Sequence, residues 1–329
     1  MGALWQRTRA QAAWEAIGAT MTDDTTRRLA EALDARIGED SGYARYGRAR
    51  DASRAACGGT NGASGGVTMP RDGSPLYATG DTHGDGIDLL SRVTACPPGS
   101  TIAVCGDAGI RYGDWVSMTM LAACDERSDC AFVVMRGNHD TRYWRDATLP
   151  DGTPRDGWAL TEPDRHGSSY LYETAHPNVL YVRDDGGLYD VGGTDVLFIP
   201  GAYSVDQAWR MSTGNPYECE EQLTEYEMRR LGDIAASTRG RLVVMSHTCP
   251  RAWEGTVSRL FLPYIDQSGV DKAMETWMDG IWETVRDRCY GWYFGHYHAD
   301  IGIAKTNGIA RMLYHDVVRI DKPRKRPAA

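Results

Sequence analysis

Five short, nearly unbroken apolar runs punctuate the middle of the chain. They are Leu76-Tyr77-Ala78-Thr79, Thr101-Ile102-Ala103-Val104-Cys105, Ala131-Phe132-Val133-Val134-Met135, Val196-Leu197-Phe198-Ile199 and Leu242-Val243-Val244-Met245. Runs of this length without polar alternation predict strands buried on both faces. Longer stretches with helix-like spacing lie between several of them, over 85–95, 114–127 and 219–237. Strands that alternate with helices imply an α/β fold whose sheets are covered by helices, and in such folds reactive groups collect on loops after the carboxyl ends of strands. No internal repeat is evident.

The first 70 residues read differently. Thr22-Asp23-Asp24-Thr25-Thr26 offers capping oxygens ahead of Arg27-Arg28-Leu29-Ala30-Glu31-Ala32-Leu33, a helix start. The run Cys57-Gly58-Gly59-Thr60-Asn61-Gly62-Ala63-Ser64-Gly65-Gly66 is costly to order and reads as a linker. The expected division is therefore a helical extension with a glycine-rich linker over 1–70, a segment suited to self-association or partner docking, and a main domain over 71–329.

Composition narrows the options. The chain has 329 residues, 42% hydrophobic and 25% charged, with a net charge of −9. An acidic balance does not favour a general nucleic-acid binder, although a local basic groove stays open. No apolar run approaches the roughly 20 residues of a membrane span, and charges interrupt the amino-terminal MGALWQRTRAQAAWEAIG too often for a secretory leader. The eight cysteines contain no Cys-x-x-Cys pair, which disfavours a zinc ribbon. Free thiols in a reducing cytoplasm are the expected state.

Candidate chemistry sits where four of the five strand runs end. Gly80-Asp81-Thr82-His83-Gly84 follows the first, Gly106-Asp107 the second, Gly137-Asn138-His139-Asp140 the third and Ser246-His247 the last. Gly295-His296-Tyr297-His298 stands nearer the carboxyl end. Each has a bland reading of its own. Asp81 and His83 could cap the next helix, Asp107 could be a loop residue and Asn138-His139 a tight turn. His247 alone would read as a hydrogen-bonded strand-end histidine, and His296 with His298 as one solvated face of a strand. Together they hold five of the chain's eight histidines, and five independent coincidences would be needed. Imidazoles mixed with carboxylates suit manganese, iron or zinc better than calcium. Two such ions about 3.5–4 Å apart can activate a water and clamp both oxygens of an in-line displacement.

The motif order Asp-x-His, Gly-Asp, Gly-Asn-His-Asp, His, Gly-His-x-His resembles the calcineurin-like metallophosphoesterase superfamily over roughly residues 76 to 320. Pro200-Gly201-Ala202-Tyr203-Ser204-Val205-Asp206 and Tyr293-Phe294-Gly295-His296-Tyr297-His298 are similar to a largely uncharacterised bacterial and phage-associated branch. The resemblance implies an α-β-β-α sandwich of two sheets with the metals at one end. It implies that Asp81, His83 and His298 hold one divalent ion, that Asn138, His247 and His296 hold a second, and that Asp107 bridges them, manganese being favoured. His139 would protonate the leaving oxygen and Arg111 would grip phosphate, as an arginine in this loop does in the serine/threonine phosphoprotein phosphatases. Those phosphatases carry an aspartate before that arginine to orient the histidine. Ile110 stands here, so either Asp140 or Asp114 steadies His139 or the histidine is held less firmly.

The activity so implied is metal-dependent hydrolysis of a phosphate ester in a phosphorylated substrate. Arg111 favours a monoester, since a monoester offers more charged oxygens to a guanidinium fork. A phosphodiesterase or nuclease on the same fold and a non-catalytic interaction module are the alternatives. Specificity is expected in segments 141–178 and 201–220, where Trp144, Arg145, Arg165, Tyr170, Tyr203, Trp209 and Arg210 could grip a nucleotide or phosphopeptide or could simply pack a lid. No role falls to His166, His176 or His315, and the basic tail from Lys322 to Arg326 reads as a solvated end.

Overall fold

All five apolar runs form strands: β1 (Leu76–Thr79), β2 (Thr101–Val104), β3 (Ala131–Val134), β8 (Thr194–Ile199) and β9 (Leu242–Ser246). The computed structural model describes residues 66–110, 114–205, 207, 210, 220–261 and 269–322. The helices expected before residue 57, the glycine-rich run up to Gly65, and Arg111 and Trp209 lie outside the described residues. Val67 and Met69, just ahead of the expected boundary, pack against the core of the main domain.

Eight further strands complete two sheets. They are β4 (Trp158–Leu160), β5 (Leu171–Glu173), β6 (Val179–Tyr181), β7 (Gly187–Val191), β10 (Cys289–Phe294), β11 (Ile301–Gly302), β12 (Ala310–Met312) and β13 (Val318–Arg319). One sheet runs β13-β1-β2-β3-β6-β5-β4 and the other β11-β12-β10-β9-β8-β7. The centre of each is parallel, and antiparallel strands close the edges. Parallel strands need crossover connections, which the helices supply. These are α1 (Gly86–Val93), α2 (Asp114–Glu126), α3 (Tyr143–Ala147), α4 (Glu225–Ser237), α5 (Arg251–Phe261) and α6 (Ala273–Val285).

The period of two along each strand divides the core into three layers. Ala103 and Cys105 meet Phe198, Val243 and Met245 between the sheets. Ile102, Val104, Phe132 and Val134 face Leu89 and Val93 of α1 and Met120 of α2. On the far side Leu197, Val244 and Trp292 pack against Leu231 of α4, Trp253 of α5 and Met278 of α6. Burial on both faces explains why these strands are apolar without alternation, and it yields the expected α-β-β-α sandwich.

Two expectations need correction. The helix expected from residue 219 begins at Glu225, because Thr224 forms a capping box with Glu227. Segment 141–178 is not a substrate-facing lid throughout. It supplies α3, β4 and β5, with Tyr170 only 1% exposed in the core between the sheets. Arg165 pairs with Asp195 at the start of β8, the opposite end of that strand from His247. Among the described residues no helix is long and apolar enough to cross a membrane.

Candidate metal centre

The loops after β1, β2, β3, β9 and β10 interlock at one end of the sandwich. The backbone N–H groups of Thr82 and His83 both donate to Asp107 O, at 3.1 and 2.8 Å. His247 N donates to Ile199 O, and Gly295 N to His247 O. The two sheets are tied at this end through side chains as well. His296 N donates to the Asp81 carboxylate at 3.0 Å, and His247 Nδ1 lies 2.7 Å from Cys105 O. Two glycines make the approach feasible. A Cβ on Gly137 would stand 2.0 Å from Asp107 Oδ1, and one on Gly295 2.0 Å from Asp81 Oδ1.

Backbone strain concentrates here. His83, Asp107, His296 and His298 have φ of 46°, 48°, 69° and 53°. Asn307 is the one other non-glycine residue at positive φ among the described residues. Such a conformation costs about 1–3 kcal/mol per residue and persists where surrounding contacts enforce it.

The side chains of all seven expected ligands converge. Ligand atoms of Asp81, His83 and His298 lie within 4.8 Å of one another, and so do those of Asp81, Asp107 and His247. His83 Nε2 and His298 Nε2 are 2.8 Å apart, and Asp81 Oδ2 lies 3.8 and 3.3 Å from them. Asp107 Oδ2 stands 4.0 Å from His83 Nε2 and 3.3 Å from His247 Nε2, reaching both histidine sets. Asn138 Oδ1 lies 2.7 Å from His247 Nε2 and 3.0 Å from His296 Nδ1. Asp81 belongs to both three-residue groups, and Asp107 to one of them.

Asp81 and Asp107 are 0% and 1% exposed, yet their ion pairs among the described residues are all with histidines. Two adjacent buried carboxylates without arginine or lysine call for another source of positive charge. The donor set, imidazoles with carboxylates and an amide oxygen, fits a divalent transition metal. Burial disfavours charge on Asp107, but His247 beside it holds the carboxyl well below the usual range. Burial likewise opposes charge on His247, while Asp107 and Asp81 bring that imidazole up to about 9. His296 is held well below its ordinary value by burial and by His247.

His139 donates its backbone N–H to Asp107 Oδ1 at 2.9 Å, and its ring meets His83 edge-on at a centroid distance of 5.5 Å. Asp140, one of two carboxylates expected to steady that ring, ties the surrounding loops together. Its oxygens accept from Gly109 N at 3.1 Å and Gly137 N at 2.8 Å, tying the Asp107 loop to the Asn138 loop. Burial and Asp107 push the Asp140 carboxyl up to about 7. Ile110 is 1% exposed and packs in the core under α1 and α2.

Three contributors escaped the sequence. Ser204 accepts from Asn138 Nδ2, orienting the amide so that its oxygen faces the histidines. The Tyr203-Ser204 resemblance was the available signal. Thr248 and Tyr297 meet through their hydroxyls beside the histidine loops, a contact without sequence signature. Of the residues expected to set specificity, Arg210 pairs with Glu221 and is 6% exposed, and Tyr203 donates to Gly269 O.

No curated protein matches the chain. The family profile described as calcineurin-like phosphoesterase matches residues 74–300, the span that carries β1 to β10 and every one of the loops above. That match and the two donor groups point to binding of divalent metal. The chain belongs to the calcineurin-like phosphoesterase family, hydrolases acting on phosphate esters.

Proposed function

We propose that the chain is a phosphomonoesterase that works with two divalent ions, manganese being favoured. The observation that carries this reading is the sharing of two buried carboxylates, Asp81 and Asp107, between neighbouring groups of imidazoles. Asp81, His83 and His298 would hold one ion, Asn138, His247 and His296 the other, with Asp107 between them. Ions held there would acidify a water and draw charge from the phosphoryl oxygens.

The protein's own part is positional. His247 Nδ1–H is spent on the Cys105 carbonyl, which leaves Nε2, facing Asp107 and Asn138, as the nitrogen that would give up its proton to hold an ion. Ser204 turns the Asn138 oxygen the same way. Asp107 Oδ1 holds the His139 amide, which keeps that imidazole beside His83 at the half-open mouth of the site. From there a ring N–H of His139 would pass a proton to the leaving oxygen of a bound ester. The lean toward monoesters rests on Arg111 in the sequence. The buried thiols of Cys105, Cys249 and Cys289, which form no disulfide, support work in a reducing compartment such as the cytoplasm.

The test is hydrolysis of para-nitrophenyl phosphate against its bis-ester by the manganese-loaded chain. Preference for the monoester is expected. Preference for the diester would replace this reading with a phosphodiesterase, and turnover of neither by metal-loaded protein would leave a non-catalytic module.

A further inference from the structure

Tyr297 separates the two histidines of the last motif, and its hydroxyl lies 2.9 Å from Thr248 Oγ1, on the residue that follows His247. Thr248 is 0% exposed and donates to Glu275 Oε1 at 3.2 Å. Glu275, in the first turn of α6, is 1% exposed. A threonine hydroxyl has a single proton. With that proton committed to Glu275, Tyr297 must be the donor to Thr248. The chain thus has one direction, from Tyr297 O–H through Thr248 to Glu275. Burial pushes the Glu275 carboxyl up to about 6, so at neutral pH it is ionised and accepts only. The Cys249 thiol, 3.9 Å from the Tyr297 hydroxyl, is the weaker neighbour.

The turn that Tyr297 belongs to needs such a tether. His296 and His298 both hold positive φ, at 69° and 53°, and the Tyr297 amide is spent on a tight contact to Gly295 O at 2.8 Å. Its backbone therefore has little freedom to spare and carries strain that something outside it must balance. Meanwhile His247 and His296 must stay at hydrogen-bonding distance from the same oxygen, Asn138 Oδ1. The Tyr297–Thr248 contact spans the two loops on which those imidazoles ride.

We infer that Glu275, Thr248 and Tyr297 are positioning residues that lock the His296–His298 turn to the His247 loop and so set the spacing of the metal donors. None of the three lies among the expected ligands, so they act through the histidines. The inference rests on the reading that those histidines hold metal. Outer contacts that orient imidazole ligands are commonly worth 10–100-fold in metal affinity.

The test is titration of the metal-free full chain with Mn²⁺ alone, followed by calorimetry, alongside thermal unfolding of the metal-free protein. Tyr297→Phe and Thr248→Val should each weaken Mn²⁺ binding about tenfold, and the double variant should be no weaker than either, since both delete one link. Glu275→Ala should weaken binding too, and Glu275→Gln, which keeps an acceptor oxygen, should restore most of it. Metal-free Tyr297→Phe should still unfold cooperatively, with a midpoint lowered only slightly, as the loss of one hydrogen bond implies. Unchanged Mn²⁺ affinity in Tyr297→Phe and Thr248→Val would overturn the inference while leaving the metal site intact. Losses that add independently would overturn it as well. A parent chain that binds no Mn²⁺ would overturn both this inference and the reading beneath it.

Discussion

His247 Nδ1 lies 2.7 Å from the carbonyl oxygen of Cys105, across the gap between the two sheets. A carbonyl can only accept, so Nδ1 keeps its proton, and Nε2, 3.3 Å from Asp107 Oδ2, is the nitrogen that would give up its own to hold an ion. His247→Gln, which cannot satisfy both directions at that reach, should drop bound metal from two ions per chain toward one. Elemental analysis of the purified variant checks this.

His139 is expected to act on the substrate and not on the metal. His139→Ala should keep both ions and lose about 10²–10⁴ in kcat. Metal content measured beside turnover of para-nitrophenyl phosphate separates the two effects. Loss of metal in this variant would make His139 a structural element of the cage.

Asp107→Asn should behave oppositely. The amide keeps the shape and one oxygen but removes the charge that offsets two neighbouring cations. Metal and activity should disappear together, whereas retention of full activity would remove Asp107 from its bridging place.

Asp140→Ala leaves the buried N–H groups of Gly109 and Gly137 without their acceptor. An unsatisfied buried donor costs about 1–3 kcal/mol, so urea unfolding of the metal-free variant should show a loss in at least that range.

Much of this centre was legible in the sequence, for a physical reason. A strand buried on both faces is almost wholly apolar, so polar residues return at its end, and Asp81, Asp107, Asn138 and His247 all stand within four residues past one. The framework around them was less readable. Helices α5 and α6 and strand β10 passed unnoticed, their apolar positions interrupted by charges in Arg251–Phe261 and Ala273–Val285 and by glycine in Cys289–Phe294. The start of α4 was misplaced although Thr224 and Glu227 spell a capping box. Asp140 also accepts from the backbone amides of Gly109 and Gly137, a role that no side-chain pattern announces. The Tyr297–Thr248–Glu275 chain joins residues far apart in sequence by single hydroxyl contacts, and no periodicity records such a meeting.

Anomalous diffraction at the manganese edge from crystals grown with Mn²⁺ tests the central claim most directly. The account predicts two peaks about 3.5–4 Å apart, one among Asp81, His83 and His298 and one among Asn138, His247 and His296, with Asp107 touching both. A centre without peaks, or ions bound elsewhere with these seven side chains unengaged, would contradict it.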